Sequence, residues 1–148
     1  MAVAISGEAL VTAVGHSSRT LQCVVVTPEQ AVLDEQADFV AVPMLDGELG
    51  VLPGRAPLIG RLGIGELRLR YGTMVKRFFV ESGFVQVNAN TVTLLTSKAV
   101  EATEIDPQAV ERQLSSIEES HPTVLADREA ADKAEERARA MLRIARKI

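Results

Sequence analysis

Between Leu21 and Thr96 the apolar positions fall in short β-branched runs, each closed by turn-forming residues. Val24-Val25-Val26 ends at Pro28, and Ala31-Val32-Leu33 and Phe39-Val40-Ala41-Val42 follow. Glu66-Leu67-Arg68-Leu69-Arg70-Tyr71 alternates charged and apolar side chains, which puts one face in water and the other in a core. Tyr71-Gly72-Thr73 turns the chain into Val75–Val80, and Asn88-Ala89-Asn90 turns Val85-Gln86-Val87 into Thr91–Leu95. No helical stretch separates these runs, which argues against a parallel α/β sheet and for an antiparallel β-sandwich.

The pattern changes after Ser97. Asp106-Pro107 has the chemistry of a helix start, a capping carboxylate followed by proline at the first helical position. Val110, Leu114 and Ile117 then make one apolar stripe, and Glu119–Thr123 breaks it with His121-Pro122. A second helix is predicted from about Thr123 onward, with Ala126, Ala130, Ala134, Ala138, Met141, Leu142 and Ala145 along its apolar face. Alanine favours helix but buries little area, so weak docking is expected of this pair. The predicted architecture is an extension over 1–19, a β-sandwich over 20–97 and a C-terminal antiparallel two-helix hairpin over 98–148.

Asp46 to Leu58 interrupts the β pattern with three glycines and two prolines in thirteen residues. Gly47 and Gly50 bracket Glu48-Leu49, and Pro53-Gly54 is a turn dipeptide. This reads as a tight loop, a very short strand at Val51-Leu52, a second turn and a new strand beginning at Pro57. Spacing alone makes it a corner of the sandwich and nothing more.

Composition narrows the classes. At 148 residues there is material for one good core, and with no tryptophan and 3% aromatics it must be aliphatic. A net charge of -4 argues against general nucleic-acid binding. No apolar run approaches the roughly 20 residues that cross a bilayer, so membrane association has to come through a protein partner. Residues 1–18 lack a basic segment, which speaks against a signal peptide. The single cysteine, Cys23, lies in Leu21–Val26 and is expected to be a buried, inert thiol.

Little in the chain looks catalytic. Gly60, Gly63 and Gly65 resemble part of a dinucleotide fingerprint, but no helix follows them. His16 and His121 have no metal-ligand spacing, and no metal or cofactor is expected. Asp34-Glu35 and Asp46/Glu48 are acid pairs in turn-like segments, where carboxylates are ordinarily solvated. The second helix segregates its charge: Arg137, Arg139, Arg143, Arg146 and Lys147 follow one another with no acid between them. Such a block complements the helix dipole and equally suits an acidic partner surface.

Pro43 followed by Gly47-Glu48-Leu49-Gly50-Val51-Leu52-Pro53-Gly54 and Ala56-Pro57-Leu58 closely resembles the signature of the epsilon subunits of F-type ATP synthases. Val26-Thr27-Pro28-Glu29, Asp38–Pro43, Phe79–Val87 and Val92–Leu95 resemble that family's other strands in the same order, over about residues 20 to 148. The resemblance implies a non-catalytic subunit of the rotor's central stalk, peripheral to the cytoplasmic face of a bacterial plasma membrane or to a thylakoid. Its sandwich would bind the gamma subunit and rest on the ring of c subunits, with Glu48 facing the ring. Its helices would reach the catalytic alpha and beta subunits and restrain ATP hydrolysis, with Arg137, Arg139, Arg143, Arg146 and Lys147 meeting an acidic motif there.

Two positions depart from the family. Arg55 stands where histidine is common, a permanent cation in place of a titratable group. Ile105-Asp106-Pro107-Gln108-Ala109-Val110 matches the segment with which some members bind ATP, but Ala109 replaces the arginine that would contact phosphate. A free-standing ATP sensor built on the hairpin is the alternative reading, and Ala109 counts against it.

Overall fold

The computed structural model describes residues 20–147; the extension over 1–19, with His16, and Ile148 lie outside the described residues. Seven strands come first: β1 (Leu21–Val26), β2 (Ala31–Ala37), β3 (Phe39–Met44), β4 (Gly47–Val51), β5 (Leu58–Tyr71), β6 (Met74–Asn88) and β7 (Thr91–Glu101). After a single 3-10 turn at Ala102–Glu104 come α1 (Pro107–Glu119) and α2 (Leu125–Ala145). All seven strands form one hydrogen-bonded sheet in the order β2-β1-β7-β6-β5-β3-β4. Neighbours pair antiparallel except β1 and β7, which run parallel with Gln22 opposite Thr91 and Val26 opposite Leu95.

This sheet coils until its inner face meets itself, which makes the expected sandwich. Strand β1 comes up against β3 and β2 against β5, although neither pair is hydrogen-bonded. Leu21, Cys23 and Val25 from β1 then share one core with Val40 and Val42, Leu67 and Leu69, Phe78 and Val80, and Val92 and Leu94. Those positions alternate along each strand, as a pleated strand with one buried face requires.

The alternation slips once, and three strands slip together. In β5 the inward set is Leu58 and Leu62, then Leu67 and Leu69. In β6 it is Phe78 and Val80, then Val85 and Val87; in β7, Val92 and Leu94, then Ala99. Each set changes from odd to even numbering or the reverse, yet the pairing of β5 with β6 and of β6 with β7 keeps one register throughout. The slip is therefore a kink line crossing the sheet near Gly63, Ser82 and Ser97 rather than a bulge in one strand. Ser82 and Gly83 take positive φ there, 54° and 116°. Thr96 Oγ1 donates to the Glu81 and Lys98 carbonyls at 2.9 and 3.1 Å, and Ser97 Oγ donates to the Glu81 carbonyl at 2.7 Å. Side-chain hydroxyls thus satisfy the carbonyl groups at the kink.

Beyond the kink, Ile64, Phe79 and Val100 face outward, and the hairpin covers them. The two helices begin and break where the sequence indicates. Asp106 Oδ1 accepts from the Gln108 backbone N–H at 3.1 Å, with Pro107 next to it. His121 takes φ 41° beside Pro122, and Arg128 Nε donates to the Pro122 carbonyl at 3.2 Å.

The apolar stripe of α2 differs from the alternation of alanines. Ala126 and Ala130 are exposed, whereas Ala138, Ala140, Met141, Leu142 and Ile144 are buried. The last turns lie between the sheet and α1, so they are covered on two sides. Each large side chain there contributes about 1.5–3 kcal/mol on burial, more than the alanine-based expectation of weak docking allows. Two further differences concern boundaries. The chain leaves the sheet at Glu101, four residues past Ser97. The Gly47–Val51 segment is an edge strand rather than a loop before a short strand, because glycine does not prevent pairing along an edge.

Two measurements check this account. A Cβ on Gly83 would stand 1.9 Å from the Leu95 carbonyl oxygen, and the residue has positive φ. Gly83→Ala is therefore expected to destabilise the chain by about 2 kcal/mol or more in thermal or denaturant unfolding. Cys23 is fully buried, and burial, with Glu35 and Asp34 nearby, pushes its thiol up to about 12. The folded chain should resist thiol reagents at pH 8 and react on unfolding. The unfolded thiol ionises near 9.0 while the folded one does not, so stability should fall between pH 9 and 12.

Candidate functional site

Glu48 sits on β4, opposite Pro43, with its side chain 52% exposed. Its Oε2 lies 3.5 Å from Arg68 Nη1, and Arg68 Nη1 lies 3.2 Å from Glu66 Oε1. Glu66 is the sheltered member, 10% exposed, and also meets Arg77 Nη1 at 3.5 Å and Lys147 Nζ at 3.3 Å. Outward-facing residues of β5 and β6 thus join Glu48 to the end of the chain through shared charges. The expected ring-facing residue and one of the expected tail residues, 99 positions apart in sequence, end one chain of ion pairs. Alternation in Glu66–Arg70 indicated a solvated face, but nothing local in the sequence indicated Lys147 as its partner.

The other cations divide into two kinds. Arg139 meets Glu135 at 2.7 Å and Glu118 at 3.3 Å, and Arg146 meets Glu111 at 3.4 Å, so both are paired inside the hairpin. Arg137 reaches the sheet instead: its Nε and Nη2 donate to the two oxygens of Glu81, both at 2.6 Å. Glu81 is the residue that sequence reasoning missed. The signal is faint, a lone acid between Val80 and Ser82-Gly83, and it shares the outward face of β6 with Phe79. Arg143 is exposed and has no ion pair among the described residues.

On the near side of the kink the outward face is open. Arg61, Phe84 and Leu95 lie side by side across β5, β6 and β7, with Ile59 next to them on β5. Ile59 is 75% exposed, and Phe84 and Leu95 are each 54% exposed, in the middle of a sheet whose backbone is already paired. Arg55 stands in the exposed turn between β4 and β5, where Gly54 N donates to Asn90 Oδ1 at 2.7 Å and φ at Gly54 is 88°. That turn is tied to the β6–β7 hairpin, whose Ala89 and Asn90 also have positive φ.

Nucleotide chemistry finds poor support. A groove at the hairpin turn is lined by Glu118, Asp132 and Glu135 with Arg128 and His121. Arg139 already holds Glu118 and Glu135, so the three carboxylates outnumber the two guanidinium groups and only Arg128 is left for a phosphate; Ala109 supplies no compensation. Among the described residues no cluster of metal-ligating side chains occurs, and no helix is long and apolar enough to cross a membrane.

Comparison with known proteins agrees with this geometry. Residues 20–102 match the family model described as the ATP synthase delta/epsilon chain β-sandwich domain. The ATP synthase epsilon chain of Rhodopirellula baltica is 44% identical over 127 residues, covering 86% of this chain and 99% of the relative. That of Nitratidesulfovibrio vulgaris (strain DP4) is 35% identical over 133 residues, covering 85% and 96%. Among solved structures, a chain of the Euglena gracilis mitochondrial ATP synthase, OSCP/F1/c-ring, superposes with a TM-score of 0.76 at 24% identity, over 83% of this chain and 79% of that one. A chain of the Tetrahymena thermophila mitochondrial ATP synthase central stalk/c-ring superposes with a TM-score of 0.59 at 18% identity, over 84% and 96%, so the fold persists beyond clear sequence likeness. The sandwich, the helical pair and relatives aligned over nearly their whole length show that the chain belongs to the epsilon chains of ATP synthase, a non-catalytic stalk subunit of that complex.

Proposed function

We propose that this chain couples ion flow through the membrane rotor ring to ATP synthesis and restrains ATP hydrolysis through its helical hairpin. The observation that carries the reading is a cation-rich helix end held against the sandwich by contacts another acidic surface can replace. In this reading the subunit is peripheral, held at the cytoplasmic face of the membrane by its partners. The exposed apolar row Ile59, Phe84 and Leu95 suits the gamma subunit, because a patch of this kind in mid-sheet asks for a protein cover. Exposed Glu48 on its edge strand suits a basic residue on a polar loop of the c ring. Arg139, Arg143 and Arg146, with Arg137 and Lys147 after undocking, suit an acidic motif on the catalytic alpha and beta subunits.

Deleting the residues after Asp106 should raise ATP hydrolysis by the assembled enzyme while leaving gamma bound, since the sandwich keeps its own core. Equal hydrolysis with full-length and truncated subunit would reject inhibition. Arg143→Glu is the sharper variant, because Arg143 has no pair to lose in the docked hairpin. A single exposed pair is worth about 0–1 kcal/mol, so the expected rise is roughly two- to five-fold and should fade with added salt.

Glu48→Lys should leave the fold intact, since one exposed pair at 3.5 Å is lost. It should, however, weaken ATP-driven proton pumping in membranes carrying the variant. Undiminished pumping would remove Glu48 from the ring contact.

A further inference from the structure

Phe78 and Val80 point into the first core, so Glu81, like Phe79, lies on the outward face of β6, immediately before the kink. Its carbonyl is fixed by Thr96 and Ser97, and positive φ at Ser82 and Gly83 turns the following chain away. The carboxylate is left facing the hairpin, 18% exposed, and it grips Arg137 through two parallel hydrogen bonds. This pair joins residues 56 positions apart.

Ion pairs around the hairpin are unequal in what they hold. Arg139–Glu135, Arg139–Glu118 and Arg146–Glu111 have both members on α1 and α2, so they would travel with the hairpin. Among the described residues, two pairs cross from the hairpin to the sheet: Arg137–Glu81 and Lys147–Glu66. Lys147 makes a single contact at 3.3 Å with its side chain 49% exposed, and Glu66 keeps Arg68 and Arg77 without it. Arg137 makes the bidentate contact, the geometry in which a guanidinium binds a carboxylate most selectively. The apolar cluster behind it, Phe79 with Met141, Leu142 and Ile144, supplies area but little directional preference.

We infer that Glu81 is the latch that holds the hairpin on the sandwich, and that an acidic partner surface opens it by taking Arg137 in exchange. The second half of this inference rests on the inhibitory reading proposed above; the first does not. Replacing one carboxylate by another around Arg137 leaves the charge balance nearly unchanged, whereas a neutral or basic surface would strand both members of the pair. Opening would also uncover Lys147 beside the already exposed Arg143. The docked hairpin is then a store of cations neutralised within the chain.

Spin labels on the full-length chain, one at Thr73 in the turn between β5 and β6 and one at Ser116 on α1, both exposed, report docking as a distance. Glu81→Gln keeps a hydrogen-bond acceptor and removes the charge. It should raise the ratio of undocked to docked molecules about ten-fold, equivalent to about 1.4 kcal/mol. Arg137→Gln should do the same, and the double variant should add little, because both single changes remove one interaction. Added salt should shrink the difference from wild type. An unchanged docking equilibrium in both single variants, read at a urea concentration where the wild-type hairpin is partly undocked, or effects that add in the double, would overturn the latch. Unaltered thiol protection of Cys23 in each variant confirms that the sandwich is intact. In the assembled enzyme Glu81→Gln should lower ATP hydrolysis, since Arg137 is released for its partner. Undocking with unaltered hydrolysis would keep the latch, reject the exchange and count against inhibition.

Discussion

The kink line across β5, β6 and β7 is the constraint on which the rest of the molecule depends. A single seven-stranded sheet can bury one face against itself only if its long central strands bend, and a fourteen- or fifteen-residue strand does not bend at no cost. The bend is concentrated in one row, where the inward and outward sets exchange while the register of pairing is preserved. Positive φ at Ser82 and Gly83 opens the pleat, and the Thr96 and Ser97 hydroxyls satisfy carbonyl groups of that row. Because the sets exchange, Phe79, Ile64 and Val100 leave the first core and become the floor of the second. The hairpin has a platform for that reason.

How much of this could be read in the chain follows the range of the forces involved. The Glu66–Arg70 alternation, the Asp106-Pro107 start and the Glu119–Thr123 break are local, and they stand in the structure as the sequence indicates. Phe78 and Phe79 are both fully buried, in different cores, and consecutive apolar residues say nothing of that division. Gly47–Val51 read as a loop because glycine is a poor strand former, yet pairing with β3 outweighs the propensity. Ala140 and Ile144 lie off a single stripe; a helix covered on two sides has no single stripe to find.

Charges were the hardest part to read, since a charge in a sequence carries no sign of its partner. Glu48 and the C-terminal cations could be named one by one, but not their connection through Arg68 and Glu66. Glu66 holds Arg68, Arg77 and Lys147 together, and Arg68 in turn meets Glu48. Each link is weak at the surface.

The helix dipole offers a simpler account of the basic run, and position along α2 separates the two. A dipole acts over the last turn of a helix and fades beyond it. Arg143 stands in that turn of α2, and the dipole accounts for it without any partner. Arg137 stands eight residues before Ala145, more than two turns inside, where the field of the terminus is small. It is also among the less exposed cations of the run, and both of its bonded nitrogens are spent on one carboxylate of the sheet. The dipole therefore explains why basic residues gather at the end of this helix, but not why one of them lies so far back. Glu81 explains that one, from the outward face of β6 immediately before the kink at Ser82 and Gly83.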